Sequence, residues 1–335
     1  MKPSGSVRWG VIGLGWFGEV HAEVLASMPG IELVAVCTRR SDRLEQVANR
    51  FGVPRRYTDY RDLLADKEVD AVSVVTHYYD HCQIAVDALK AGKNVILEKP
   101  MAQNTAECDR IIAAARASRG KFMVGHICRF DPRVVLAKQA IAEGRIGTII
   151  SMHARRNLSK VIGRMVLDKI SALFGDGIHD ADLMLWFSGA KPVSVYAQEV
   201  HPGTNQYPDA GWAMFRLDNG AVGVVESLWC LPETTPYQID ARMEVVGTAG
   251  ALYINCGEAG LEIHDAAGAK MPDTMYWPKP LGERFGILRA ELRYFANCVR
   301  EGKQPDRITP EESRAAVALM EAATKSAQTG QVISL

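Results

Sequence analysis

The sequence predicts an α/β protein in which a doubly wound parallel sheet comes first and a mainly antiparallel sheet with flanking helices follows. Three observations predict it. Residues 10–18 read Gly10-Val11-Ile12-Gly13-Leu14-Gly15-Trp16-Phe17-Gly18, between a strand-like start and a helical pattern. Up to residue 120, short apolar strands alternate with amphipathic helices, which is the pattern of a parallel sheet covered on both faces. Beyond residue 125, consecutive strands are joined by short turns, the pattern of an antiparallel sheet.

Taken in order, strands are expected at 7–12, 32–37, 71–75, 94–97 and 121–125, and helices at 16–28, 41–51, 60–65, 80–91 and 105–118. Pro29-Gly30, Gly52-Val53-Pro54, Gly92 and Gly120 break the chain between them. A helix at 132–143, a strand at 148–156 and a helix at 170–187 come next. Strands are then expected at 192–200, 211–218, 221–230, 238–247, 250–255 and 260–264, with turns at Asp218-Asn219-Gly220 and Thr248-Ala249-Gly250. Helices at 283–300 and 310–328 end the series. The change of pattern near 123–126 divides the chain into domains at 1–123 and 124–335.

With 335 residues the chain is long enough for two cores, and 47% hydrophobic with 23% charged residues is an ordinary globular composition. The formal net charge of zero gives no basic surface for nucleic acid or anionic lipid. No apolar run approaches the roughly 18 residues that span a bilayer, so no membrane partner is expected. The start, Met1 to Ser6, lacks the apolar core of a signal peptide. Seven scattered cysteines form no C-x-x-C pair, so neither a disulfide framework nor a metal site is expected. Free thiols in a reducing cytoplasm fit that usage.

A strand, glycine turn, helix and second strand form the setting in which G-x-G-x-x-G means dinucleotide binding. Gly13 makes the tight turn, Gly15 lets a pyrophosphate approach, and Gly18 lets helix and strand pack closely, with Leu14, Trp16 and Phe17 completing the turn. The helix N-terminus favours the anionic phosphates. About 20 residues past the third glycine, an NAD site usually carries an acid for the ribose hydroxyls. Thr38-Arg39-Arg40 stands there instead. Without a carboxylate to repel it, a 2′-phosphate meets the donor fork of arginine, so NADP(H) is preferred and NAD(H) remains an option. The other reading of this segment is an exposed basic helix start. The fourth strand of the set runs into Glu98-Lys99-Pro100, at the carboxyl end where such sheets bind ligands. Lys99 there can orient a hydroxyl and stabilise developing oxyanion charge, or Glu98 and Lys99 are a solvated pair at a loop start.

These residues resemble the Gfo/Idh/MocA oxidoreductases, which act on sugars, cyclitols and nucleotide sugars. The glycine motif and Glu98-Lys99-Pro100 carry the resemblance, and three more segments extend it across the chain. Thr76-His77-Tyr78-Tyr79-Asp80-His81 is similar to the family's Thr-Pro-Asn-x-x-His loop beside the cofactor, which makes Thr76, His77 and His81 cofactor-side residues. Gly125-His126-x-x-Arg129-Phe130 resembles the segment that opens the substrate domain. Asp176-Gly177-Ile178-His179-Asp180-Ala181-Asp182 resembles the active-site helix start.

The resemblance implies a Rossmann domain followed by an α/β domain whose large open sheet mediates homodimers or homotetramers. It implies that Glu98 contacts the nicotinamide ribose, that Lys99 holds the reacting hydroxyl, and that His179 withdraws or returns the hydroxyl proton. A histidine pKa near 6.5 suits that work. The chain departs from the family at two places. His77-Tyr78 replaces Pro-Asn, and the acid usually found four residues before the histidine is Gly175 here, with Asp176 beside it. One residue is about 100° around a helix, so Asp176 assists His179 indirectly or the segment is re-registered.

Substrate contacts are expected from His126, Arg129, Arg156 and Asp180, while Arg155 and Arg156 can also be alternating strand residues facing solvent. Residues 157–169, rich in cations, are expected as a mobile loop over the site, and Trp212, Trp229 and Trp277 as sheet and interface packing. The leading activity is hydride transfer between a nicotinamide and a secondary alcohol of a sugar-like molecule. Its rivals are a same-fold enzyme that recycles a tightly held cofactor for elimination, epimerisation or glycoside cleavage, and a non-catalytic cofactor sensor. Lys99 and His179, and no added DNA-binding segment, speak against the sensor.

Overall fold

The computed structural model describes residues 5–166, 169–203, 206–256, 260–266 and 268–335. The chain divides into two compact units, residues 1–127 with 275–314, and residues 128–274 with 315–335. The expected division at 123 and 124 does not anticipate that residues 275–314 return to the first unit.

The first unit alternates β1 (Val7–Ile12), α1 (Trp16–Ser27), β2 (Ile31–Cys37), α2 (Ser41–Phe51), β3 (Arg55–Tyr57), α3 (Tyr60–Ala65), β4 (Ala71–Val74), α4 (Tyr78–Lys90), β5 (Asn94–Glu98), α5 (Thr105–Ala117) and β6 (Phe122–Gly125). The strands lie parallel in the order β3-β2-β1-β4-β5-β6, the Rossmann arrangement. Strand order reverses between β1 and β4, so the ends of those two strands open the ligand crevice. The apolar runs of β1, β4 and β5 are buried, as a sheet covered on both faces requires. Trp9 in the middle of β1 is fully buried and donates from its indole to Ser73 Oγ at 2.9 Å. The short strand β3 is absent from the sequence reading. Its residues Arg55-Arg56-Tyr57 carry no apolar pattern, and only the ladder with Ala35 to Cys37 makes them a strand.

The second unit contains α6 (Pro132–Ala142), β7 (Ile149–Ser159), α7 (Lys160–Val166), a π-helical turn at Leu173–Gly177, and α8 (Ile178–Ser188). Strands β8 (Pro192–Val200), β9 (Ala210–Leu217), β10 (Val222–Leu231), β11 (Ile239–Gly247) and β12 (Ala251–Asn255) follow, then a small hairpin of β13 (Ile263–Asp265) and β14 (Gly268–Lys270). The large sheet runs β12-β11-β7-β10-β9-β8-β15, with β15 being Ile333–Ser334 at the chain end. All its pairs are antiparallel except β7 with β10, as expected of a mainly antiparallel open sheet. The expected loop at 157–169 is instead the end of β7 followed by α7, and residues 167 and 168 lie outside the described residues. The expected continuous helix at 170–187 is interrupted by the π-turn.

Helix α9 (Ile287–Glu301) belongs to the first unit and packs on α1 and β1, where Phe295 meets Trp9 edge to face at 5.7 Å. Helix α10 (Pro310–Thr329) opens with a capping box in which Thr309 Oγ1 accepts from Glu312 N and Glu312 Oε2 accepts from Thr309 N. Its first turn is tied to α5 by Arg116–Glu311 and Arg314–Asp109 pairs. Among the described residues no helix is long and apolar enough to cross a membrane, and none form a cluster able to hold a metal ion.

Candidate active site

In the first unit the glycine turn closes as its spacing requires. Gly13 has φ +96°, and a side chain there would strike the Val75 carbonyl at the end of β4. A side chain at Gly18 would strike the Gly13 carbonyl, so α1 can sit against the turn only with glycine at that place. Gly15 differs from both, since a Cβ there meets nothing within 4 Å. That open side lies at the start of α1, where no side chain caps the helix. Glu19, the acid of the first turn, is turned to Arg43 and Arg50. Uncapped N–H groups, a helix dipole and an open glycine fit a pyrophosphate.

Beyond β2, Arg40 Nη2 and Arg43 Nε both donate to the Leu14 carbonyl, at 3.2 and 3.1 Å. Arg40 thus braces the turn, and Arg43 is a participant that the sequence reading missed. It lies three residues after Arg40 on the same face of α2, which is the signal that identifies it. Thr38 donates its backbone N–H to Tyr57 O on β3. Arg39 remains 83% exposed, with Asp80 at 3.6 Å.

The β4–α4 loop carries Thr76 and His77, and the His77 ring stacks on Tyr79 at 5.4 Å. His81 is buried, with Nδ1 2.8 Å from the Pro100 carbonyl and Nε2 3.2 Å from that of Thr76. Burial holds its pKa below the ordinary histidine value. His81 therefore ties two loops at the sheet's carboxyl edge. Glu98 is also buried, its Oε1 3.2 Å from His21 Nε2 and its Oε2 accepting from the Lys99 backbone N–H at 3.2 Å. Gly125 lies beside Glu98 in the sheet, and a Cβ there would come within 2.9 Å of Oε1. His21 is a second residue that the sequence reading missed. It stands one helical turn after Gly18, on the face of α1 turned to the sheet. His126 is buried at the end of β6 in this same unit.

In the second unit the helix start is built on two buried ion pairs. Arg129 Nε and Nη2 donate to Asp182 at 2.9 and 2.7 Å, and the guanidinium lies over the Trp186 ring at 5.0 Å. Arg156 donates to both oxygens of Asp180, at 3.0 and 2.9 Å. Burial is the larger influence on Asp180 and raises its carboxyl above the usual range, with Arg156 opposing it. Arg129, Arg156 and Asp180, expected as substrate contacts, thus have their polar groups engaged inside the unit. Both arginines have planar forks that match a carboxylate, and α8 supplies one at each buried position.

A π-turn precedes the histidine. A Cβ at Gly175 would come within 2.5 Å of Trp229 Cη2, so no acidic side chain fits where the family commonly has one. A π-turn accommodates an extra residue relative to an α-turn. Asp176 then lies with Oδ1 3.8 Å from His179 Nε2 and Oδ2 accepting from Trp229 Nε1 at 2.9 Å. The acid and histidine thus meet at ion-pair distance. Trp229 is buried packing, as expected, but it also holds the acid. In the first unit, Trp277 packs edge to face on Trp16 and Phe17, at 5.5 and 5.3 Å.

Known proteins resemble the chain throughout. Residues 7–126 match the model of an oxidoreductase family with an NAD-binding Rossmann fold, and residues 134–253 match the C-terminal domain of the same group. A scyllo-inositol 2-dehydrogenase (NAD(+)) of Bacillus subtilis is 31% identical over 98% of this chain and 96% of its own. A myo-inositol 2-dehydrogenase of Thermotoga maritima is 30% identical over 98% of both. Among solved structures, myo-inositol 2-dehydrogenase from Lactobacillus plantarum superposes with a TM-score of 0.87 at 26% identity, over 98% of this chain and 99% of the other. GenD2 from gentamicin A biosynthesis, in complex with NAD, superposes with a TM-score of 0.84 at 25% identity, over 100% and 99%.

Proposed function

The chain belongs to the Gfo/Idh/MocA oxidoreductase family, and on that premise we propose that it is a nicotinamide-dependent dehydrogenase of a cyclitol or related sugar alcohol. The reaction interconverts a ring CH–OH and its ketone. The glycine cradle carries the cofactor half of the reading, because Gly15 is open where Gly13 and Gly18 are closed. A nicotinamide bound there would take up or return the hydride. The cyclitol class comes from the relatives, whose names are those of inositol dehydrogenases.

Lys99 orients the reacting hydroxyl and stabilises negative charge on its oxygen, supported by its place just past the β5 carboxyl end. His179 removes or restores the hydroxyl proton, with Asp176 at 3.8 Å to stabilise the imidazolium. The pairing of Lys99 with His179 rests on the order of the family's motifs along the chain. Arg156–Asp180 and Arg129–Asp182 keep the histidine-bearing helix rigid. Arg39 and Arg40, with no carboxylate at position 38, favour NADP(H) over NAD(H).

The open sheet of the second unit is read as a homo-oligomer interface. Tyr196, Met214, Val224, His153, Glu244 and Tyr253 form one register row across five paired strands and β12. Tyr196, Met214 and Tyr253 in that row are exposed, as is Trp212 beside them, which is more apolar surface than isolated chains commonly leave to water. Seven free thiols fit a reducing cytoplasm.

The test is turnover of myo-inositol and scyllo-inositol with NAD+ and with NADP+. Reduced cofactor should accumulate, and Lys99→Ala and His179→Ala should each lower kcat by about 10²–10⁴-fold with cofactor affinity nearly unchanged. A His179→Ala enzyme with normal kcat sinks the assignment. Cofactor that copurifies and never accumulates in reduced form points to the recycling reaction instead.

A further inference from the structure

Behind the Glu98–Lys99 segment lies a second carboxyl group that the proposed chemistry does not use. Glu291, on α9, is fully buried, and neither of its carboxyl oxygens has a hydrogen-bond partner among the described residues. Helix α9 is packed on α1 and β1 within the same unit. From α1 comes His21, whose Nε2 lies 3.2 Å from Glu98 Oε1 and whose Nδ1 is without a partner.

Among the described residues, the charged groups of the packed elements that follow are engaged with other partners. On α1, Glu19 is paired with Arg43 and Arg50, and Glu23 with Lys279 and Arg284. On β1, Arg8 is held by Glu68 and Asp70, while Trp9 faces Phe295. On α9 itself, Arg289 is engaged by Glu283, Ser27 and the Arg284 carbonyl. The charge that acts on Glu291 is that of Glu98.

We propose that Glu291 is a positioning residue that stands behind Glu98 as a neutral carboxylic acid, leaving one negative charge beneath Lys99 and setting the alkaline limit of the nicotinamide-side site. Two carboxylates in one dry pocket cannot both ionise without strong repulsion. Glu98 accepts from the Lys99 N–H and has His21 Nε2 at 3.2 Å, whereas neither Glu291 oxygen has a partner among the described residues. Burial and then Glu98 both push the Glu291 carboxyl well above the usual range. When alkali removes its proton, repulsion drives Glu98 away from the Lys99 N–H and loosens the segment that carries the lysine. The proton is exchanged with solvent, and no bond other than its O–H changes.

The inference rests on the reading that Glu98 and Lys99 serve the nicotinamide end, and its test avoids the substrate so that the two fail separately. Infrared difference spectra of wild type against Glu291→Gln, in H2O and D2O, report a protonated carboxyl directly. Binding of NADH and NADPH is titrated in parallel from neutral to about pH 10. At neutral pH the wild type should show a protonated-carboxyl band that Glu291→Gln lacks. Wild-type affinity should fall about tenfold or more across the alkaline range while Glu291→Gln stays flat. Glu291→Met, which carries no charge and similar bulk, should be flat as well and covers a failure of the glutamine variant to fold. Absence of the band at neutral pH, or parallel affinity profiles in wild type and variants, overturns the proposal. Failure to oxidise a cyclitol would show in turnover alone and leave both of these readouts intact.

Discussion

The buried Arg129–Asp182 pair offers the most decisive single test, because it separates a framework role from substrate contact. Both side chains are about 1% exposed, joined by two hydrogen bonds of 2.9 and 2.7 Å, with the guanidinium over Trp186. Replacing either partner alone leaves a charge without its counterion in a dry interior, which costs about 3–5 kcal/mol. For a unit of this size each kcal/mol moves Tm by about 2–4 °C, so Arg129→Met or Asp182→Leu should melt about 6–20 °C lower. The double variant removes both charges and both desolvation penalties. Buried pairs replaced by apolar residues are often neutral or more stable, so it should recover most of the loss. A double-mutant cycle by denaturant unfolding, read through Trp186 fluorescence, measures the coupling. KM for myo-inositol should barely change in the double variant. If Arg129→Met costs less than about 1 kcal/mol and instead raises KM steeply, the pair is not structural and Arg129 binds substrate.

Three further outcomes follow from the same geometry. Arg39→Ala should weaken NADPH about tenfold to a hundredfold and NADH little, as measured by fluorescence titration, and equal losses would show that Arg39 does not read the 2′-phosphate. Gly175→Ala places a Cβ 2.5 Å from Trp229, so the strain of roughly 1–3 kcal/mol should displace the indole that holds Asp176. Its kcat should fall and its pH profile shift, with KM unchanged. Light scattering at micromolar concentration should give a multiple of the chain mass, and Met214→Glu with Tyr253→Glu, on the open face of the sheet, should yield single chains.

Much of the fold and part of the site can be read directly from residue order. The dinucleotide turn is local: a strand, two glycines that tolerate no side chain and an open third between them impose it within nine residues. Alternating apolar strands and helices dictate the parallel sheet, because each strand must be covered on both faces. Lys99 and Glu98 are placed by the end of one strand, and His179 by the start of one helix. What tertiary structure alone decided is pairing across long stretches of chain. Arg129 looks like a substrate ligand until Asp182 on another element takes its fork, and the same holds for Arg156 with Asp180. Strand β3 exists because β2 lies beside it. The π-turn at 173–177 exists where a buried tryptophan from β10 forbids a side chain at position 175, which a count of residues per turn cannot foresee. Glu291 falls on the apolar stripe of α9 between Ile287 and Phe295, and it is the packing of residues 275–314 back on the first unit that buries it. Periodicity specifies which face of an element is apolar, but burial and partnership of a polar group depend on which distant element arrives there.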